Sequence, residues 1–285
     1  MALFSLLLAL IIERTTFLSK QWQFQHWHLA LINSGRKLLE PTSISFALFA
    51  SLLPALVTYL LLNLIQGWIF GLVSMVLWTL IALMCIGCVH YRELYKRYLL
   101  SVCKQDTQGS YHLAAQLADV EDIDIDDETM LGTRVGRQLA WINYRFYCAI
   151  VFMMIIGGPV AIVFYASLRS LELLSFKGQL PTMPWVRRVL FVLDWIPARI
   201  IAFAYVLVGN FSNAMSVWLS LSVNFRAPAY DVVSKVAMSA EQMSKSQGEA
   251  GVCMQSTCRL VSLAKRTLIL LVVAMSFLTI FGYLI

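Results

Sequence analysis

The stretch "ISFALFASLLPALVTYLLLNLIQGWIFGLVSMVLWTLIALMCIGCV", residues 44–89, decides the class of this protein. It contains no Asp, Glu, Lys or Arg. A bilayer core about 30 Å thick is crossed by about 20 apolar residues in a helix. The runs 44–66 and 68–89 are each long enough. The joint between them, "NLIQGW", is short and uncharged, with Trp68 placed as an interfacial anchor. The pattern predicts a tight helical hairpin. Gly67 and Gly71 make a small-x-x-x-small pair at the joint, a spacing that lets helices approach closely but that is common by chance.

The rest of the chain follows the same composition. Of its 285 residues, 59% are hydrophobic and 13% charged, and mean hydropathy is +0.72. Soluble domains carry roughly 25% charged residues. Three further apolar runs lie at about 146–168, 189–209 and 267–285. No segment alternates like a strand. The expected fold is therefore all-α, a polytopic helical membrane protein built as a single membrane domain over 1–285. The opening "MALFSLLLALIIERTT" has no basic flank and no small-residue cleavage site, so it does not read as a signal peptide. Its apolar part would extend only about 18 Å as a helix, too short to span. It is expected at the interface or tucked against other helices.

The basic residues predict sidedness. Segments 13–43, 90–144, 169–188 and 210–266 hold four, six, four and six Lys and Arg, while 65–67 and the C-terminus hold none. Cytoplasmic loops are the basic ones. The first, second and fourth segments are expected inside, with 90–144 and 210–266 as cytoplasmic helical segments. The hairpin and C-terminus are expected outside. Segment 169–188 fits only if 146–168 and 189–209 are re-entrant, and the expectation here is five spans. The loops are amphipathic: Leu131, Val135, Leu139, Ile142 and Phe146 share one helix face, as do Val232, Val236, Ala240 and Met243. The net charge of +6 belongs to such loops and does not call for nucleic acid.

Metal and catalytic patterns are absent. Asp122, Asp124 and Asp126 alternate as in a calcium loop, but Asp127 and Thr133 stand where Gly and Glu are required. Asp126, Asp127 and Glu128 suit a helix N-terminus instead. His26 and His28 in "HWH" would point to different faces of a helix. Cys85 and Cys88 lie in an apolar run without polar partners, which reads as buried small residues in a helix. There is no phosphate-binding glycine motif and no nucleophile elbow. No metal, cofactor or catalytic residue is expected.

The run "VLFVLDWIPARIIAFAYVLVG", 189–209, is the exception to this plainness. Asp194 is a good N-cap, Pro197 suits a first helical turn, and the residue before proline avoids helical geometry. A break at 193–197 is expected, with a helix starting at Pro197. Arg199 then lies in the first turn. Charges in an apolar segment are functional candidates.

"LDWIPARI", "LAWINYRFYCAIVFMMIIGGPVAIVFYASLRSLE", the opening "LLLALIIER", the "HW" region and "SFLTIFGYLI" together resemble the AmpE family over nearly the whole length. That resemblance implies an inner-membrane protein that regulates induction of a chromosomal β-lactamase. The AmpE family is in turn similar to the cobinamide-phosphate synthases, membrane enzymes that form an amide to a corrin ring. Gly157–Gly158 and Pro197–Ala198–Arg199 persist from that pattern. Its acidic places fall on Trp141–Ile142 (near Asn143 if the register slips), on Arg145 and on Leu190–Phe191. Its Asn-Thr-Leu-Asp becomes Arg169-Ser170-Leu171-Glu172. Metal-bound phosphate chemistry needs those carboxylates.

The expectation is thus a regulatory protein of the AmpE type in contact with the lipid bilayer and with a membrane signalling partner or an anionic small molecule. Arg145, Arg169 and Arg199, with Asn143 and Asp194, are the candidate ligand-binding residues, since guanidinium forks suit phosphate or carboxylate. Pro197, Gly157 and Gly158 are the candidate structural breaks. The alternative is an enzyme acting on an amide or a phosphorylated cell-wall fragment through a remodelled synthase-like pocket. A transporter fits less well, because no inverted repeat is visible.

Overall fold

The computed structural model describes residues 2–15, 22–65, 71–118, 128–241 and 250–282. Gln66 and Gly67 of the expected hairpin, the acidic run before Glu128, and Met243 lie outside them. The described residues hold twelve α-helices and no strand. Four stretches are long and apolar enough to cross a membrane: Ile44–Ile65, Leu131–Phe176, Pro184–Val208 and Thr257–Ile280. A fifth arises if Leu72–Ile86 and Val89–Cys103 form one broken span. The protein is an all-α polytopic membrane protein.

The chain forms two compact units. The first comprises Met1–Val89, Ala149–Leu193 and Val272–Ile285. Its helices are α1 (Ala2–Thr15), α2 (Phe24–Gly35), α3 (Ile44–Ile65), α4 (Leu72–Ile86) and α8 (Ala149–Phe176). α8 packs against α1, α2, α3 and α4. The short α1 is tucked onto α4, burying Leu6 and Ala9, and Ser5 Oγ donates to the Met75 carbonyl at 3.3 Å. α3 instead exposes Leu48, Leu52, Leu56, Leu60 and Leu64, an apolar stripe that suits acyl chains and not water.

Two prolines and a glycine pair test the helices of this unit. Pro54 sits inside α3, where its missing N–H leaves the Ala50 carbonyl without its intrahelical donor. His28 Nε2 donates to that carbonyl at 2.9 Å, so a ring from α2 completes the helix. Within α8 the backbone leaves helical geometry at Gly157 (φ −148°, ψ 20°) and Gly158 (φ 60°, ψ −150°), just before Pro159. The second conformation is open essentially to glycine alone.

The second unit comprises His90–Cys148 and Asp194–Leu271. It holds α6 (Thr107–Ala118), α7 (Glu128–Asn143), α10 (Phe211–Val223) and α11 (Ala229–Ala240). α7 packs on α6 and α11, and α11 packs on α10. Leu131, Val135, Ile142, Val232, Val236 and Ala240 are buried, as their spacing predicts. Gly209 allows a close approach: a Cβ there would meet the Ala240 Cβ at 2.7 Å, and the adjacent Asn210 N–H donates to the Ala240 carbonyl at 2.7 Å. The remaining helices are α5 (Val89–Cys103), α9 (Pro184–Val208) and α12 (Ala250–Ile280).

The expected break at 193–197 does not occur. α9 runs from Pro184 to Val208 with Pro197 inside it. A proline within an apolar helix is tolerated when other groups satisfy the loosened carbonyls. The carbonyl that loses its donor to Pro197 is that of Leu193. The next two carbonyls receive side-chain donors, the Tyr144 hydroxyl at Asp194 (3.4 Å) and the Arg199 guanidinium at Trp195 (3.0 Å). The apolar run 146–168 leaves helical geometry at Gly157–Gly158, whereas Pro197 stays inside a continuous helix.

Candidate functional site

The candidate ligand residues fall into two groups. Asn143, Arg145, Asp194 and Arg199 belong to the second unit, and Arg169 to the first. Asp194 and Arg199 are five residues apart on one helix, about 140° around its axis, so they face different neighbours.

Arg199 is 8% exposed and faces the end of α10. The last carbonyls of a helix lack intrahelical donors. Arg199 Nη2 donates to the Asn224 carbonyl at 2.8 Å and Nε to the Ser222 carbonyl at 3.4 Å. Its guanidinium lies over the Trp195 ring, 4.1 Å from the centroid. In return the Trp218 indole N–H donates to the Arg199 carbonyl at 3.0 Å. A cation at the negative end of a helix dipole is stabilising as well as capping. The geometry makes Arg199 a helix cap whose donors point at the chain's own backbone.

Arg169 has the same occupation in the other unit. α4 ends at Ile86, which leaves the Cys85 carbonyl without an intrahelical donor. Arg169 Nη2 donates to it at 2.7 Å from a side chain only 8% exposed. Cys85 is buried within the last turn, whereas Cys88 lies in the bend beyond it, a correction to reading both as helical.

Asp194 is a buried carboxylate, 3% exposed, and not an N-cap. Its Oδ1 accepts the Tyr144 hydroxyl at 2.8 Å. Tyr144 opens a π-helical turn, Tyr144–Cys148, that follows α7 directly. Such turns are frequent at functional sites. Asn143 Nδ2 donates to the Tyr205 hydroxyl at 3.3 Å and approaches Cys148 Sγ at 3.6 Å. Trp141 stacks on Tyr144, meets Tyr230 edge-on, and carries Arg145 over its ring at 5.2 Å. Burial raises the Tyr230 pKa above its ordinary value, against the opposing effect of Arg137 and Arg134. The Asp194–Tyr144 pair is sealed from solvent and holds α7 to α9.

Sequence reading missed Tyr144, Tyr205, Trp195 and Trp218. Tyr144, Tyr205 and Trp218 meet Asp194, Asn143 and Arg199 from 50, 62 and 19 positions away, whereas Trp195 lies one turn before Arg199, and aromatic residues are abundant in every apolar run. The His28–Ala50 contact had a visible signal: a proline inside a span leaves a carbonyl that some polar side chain must reach. His26, by contrast, is exposed.

The described residues also contain an open groove of about 770 Å³ between the end of α8 and the start of α9, within the first unit. Glu172, Met183, Arg187, Arg188, Phe191 and Val192 are on its walls. No three His, Cys, Asp or Glu side chains among the described residues come together as a metal site.

The family described as "Regulatory signalling modulator protein AmpE" matches residues 1–285. The "Protein AmpE" of Shigella flexneri is 31% identical over 292 residues, covering 100% of both chains. No solved structure matches.

Proposed function

Because the chain belongs to the AmpE family of regulatory signalling modulators, we propose that it works in the bacterial inner membrane as a modulator of β-lactamase induction and of the response to antibiotics, acting through a membrane signalling partner and not by turnover. The supporting observation is the occupation of its buried polar groups. Arg169, Arg199 and His28 donate to the chain's own carbonyls, and Tyr144 donates to Asp194. Groups engaged in this way hold helices in one arrangement and are not presented to a reacting substrate. Where the similar synthases carry acids, this chain has Trp141, Arg145, Leu190 and Phe191.

The alternative enzyme reading, on an amide or a phosphorylated cell-wall fragment, is favoured only by the groove, whose walls include Leu171, Glu172 and Phe191. An induction assay tests the proposed role. A strain with an inducible chromosomal β-lactamase is compared with its deletion mutant and with the complemented mutant across inducer doses. The deletion is expected to shift the dose response and complementation to restore it. Superimposable curves in all three strains would refute the role.

A further inference from the structure

We propose that the groove between α8 and α9 is a binding site for an anionic phospholipid, with the headgroup phosphate held by Arg187 and Arg188 and an acyl chain laid against Phe191 and Val192. The site is independent of the regulatory role proposed above, and so is its test. Both arginines are exposed on the first turns of α9, and neither has a side-chain partner among the described residues. That placement is unfavourable in the protein alone, because two cations sit at the positive end of a helix dipole and no acidic residue occupies the first turn. A phosphate between them reverses the sign of both effects.

The other half of the groove is apolar. Met183 is buried in its wall, and Phe191 and Val192 stand exposed one to two turns farther along the helix. Polar head and apolar wall are therefore ordered along α9 as they are along a lipid. Glu172, also on the wall, already has a partner within the protein. Guanidinium forks bind phosphate through paired N–H groups, and basic pockets between membrane helices take anionic headgroups.

Native mass spectrometry of the full chain, released from bilayers of phosphatidylcholine with and without phosphatidylglycerol, reads retained lipid directly. The wild type is expected to retain phosphatidylglycerol in preference to phosphatidylcholine. Arg187→Gln with Arg188→Gln should weaken that retention about 30-fold, the factor expected for two surface arginines. Arg187→Lys with Arg188→Lys should keep most of it, and it serves as the folded control. Phe191→Ala should weaken retention without changing the preference for the anionic lipid. Equal retention of the two lipids, or undiminished retention by the glutamine pair, overturns the proposal. Displacement of the lipid by inorganic phosphate with no effect of Phe191→Ala would reassign the groove to a free anion, and also overturns it.

Discussion

Replacing Arg199 separates capping from ligand binding. Its guanidinium serves three carbonyls, those of Trp195, Ser222 and Asn224, and lies over the Trp195 ring. Hydrogen bonds from a charged donor contribute about 1.5–3 kcal/mol each, and a buried acceptor left without a partner costs about 1–3 kcal/mol. The Ser222 contact, at 3.4 Å, belongs at the bottom of that range. Arg199→Leu removes all three donors and the stacking, for an expected loss of about 4–6 kcal/mol. That is a large part of a typical folding stability of about 5–15 kcal/mol. Arg199→Lys keeps the charge but not the planar fork, so one or two carbonyls are recovered and the loss falls to about 1–3 kcal/mol. The assay is thermal unfolding of the detergent-purified protein, read beside its abundance in the membrane and the induction response. The expected order of Tm is wild type, then Lys, then Leu, with the leucine variant lower on the order of 10 °C. Induction should fall only as abundance falls. A lysine variant with unchanged Tm and abundance but lost induction would refute the capping account and restore Arg199 as a ligand residue.

Gly158→Ala should cost about 1–3 kcal/mol, because its backbone conformation excludes a side chain even though the nearest atom to an added Cβ, Trp78 Cη2, lies at an ordinary 3.4 Å. Gly178→Ala, at φ 67° in open space, should cost less, and the two Tm values check the difference. Burial lowers the pKa of His28 from 6.5 to about 4. The unfolded chain therefore takes up the proton first, and stability present above pH 6.5 is lost as pH falls towards 4, by at most about 1.4 kcal/mol per pH unit. Unfolding midpoints at pH 7, 6 and 5 should drop in the wild type, while the contribution of this site should be absent from His28→Leu. A membrane-impermeant thiol reagent applied to intact cells, on a cysteine-free background, should label Gly282→Cys and spare Gln108→Cys. The reverse pattern would invert the expected topology.

What the sequence determined by itself was the all-α membrane class, the apolar runs and the buried faces of α7 and α11. Hydropathy and helical periodicity are sums over neighbouring residues, so no partner needs to be known. The run 44–65 reads as a span whatever packs against it. The family was legible for a related reason, since motif resemblance is also local. The roles of the charged residues were not. Asp194 looked like a cap because it stands shortly before a proline, yet a tyrosine fifty positions earlier in the chain turns its carboxylate into a buried acceptor and donates to its backbone carbonyl as well. Arg169 and Arg199 looked like ligand residues because guanidinium forks in apolar runs suit phosphate or carboxylate. The carbonyls they cap are 84 and 25 positions away, at helix ends whose location only folding decides. A guanidinium in an apolar helix must be satisfied by something, and tertiary structure alone determines whether that is a ligand or the end of another helix.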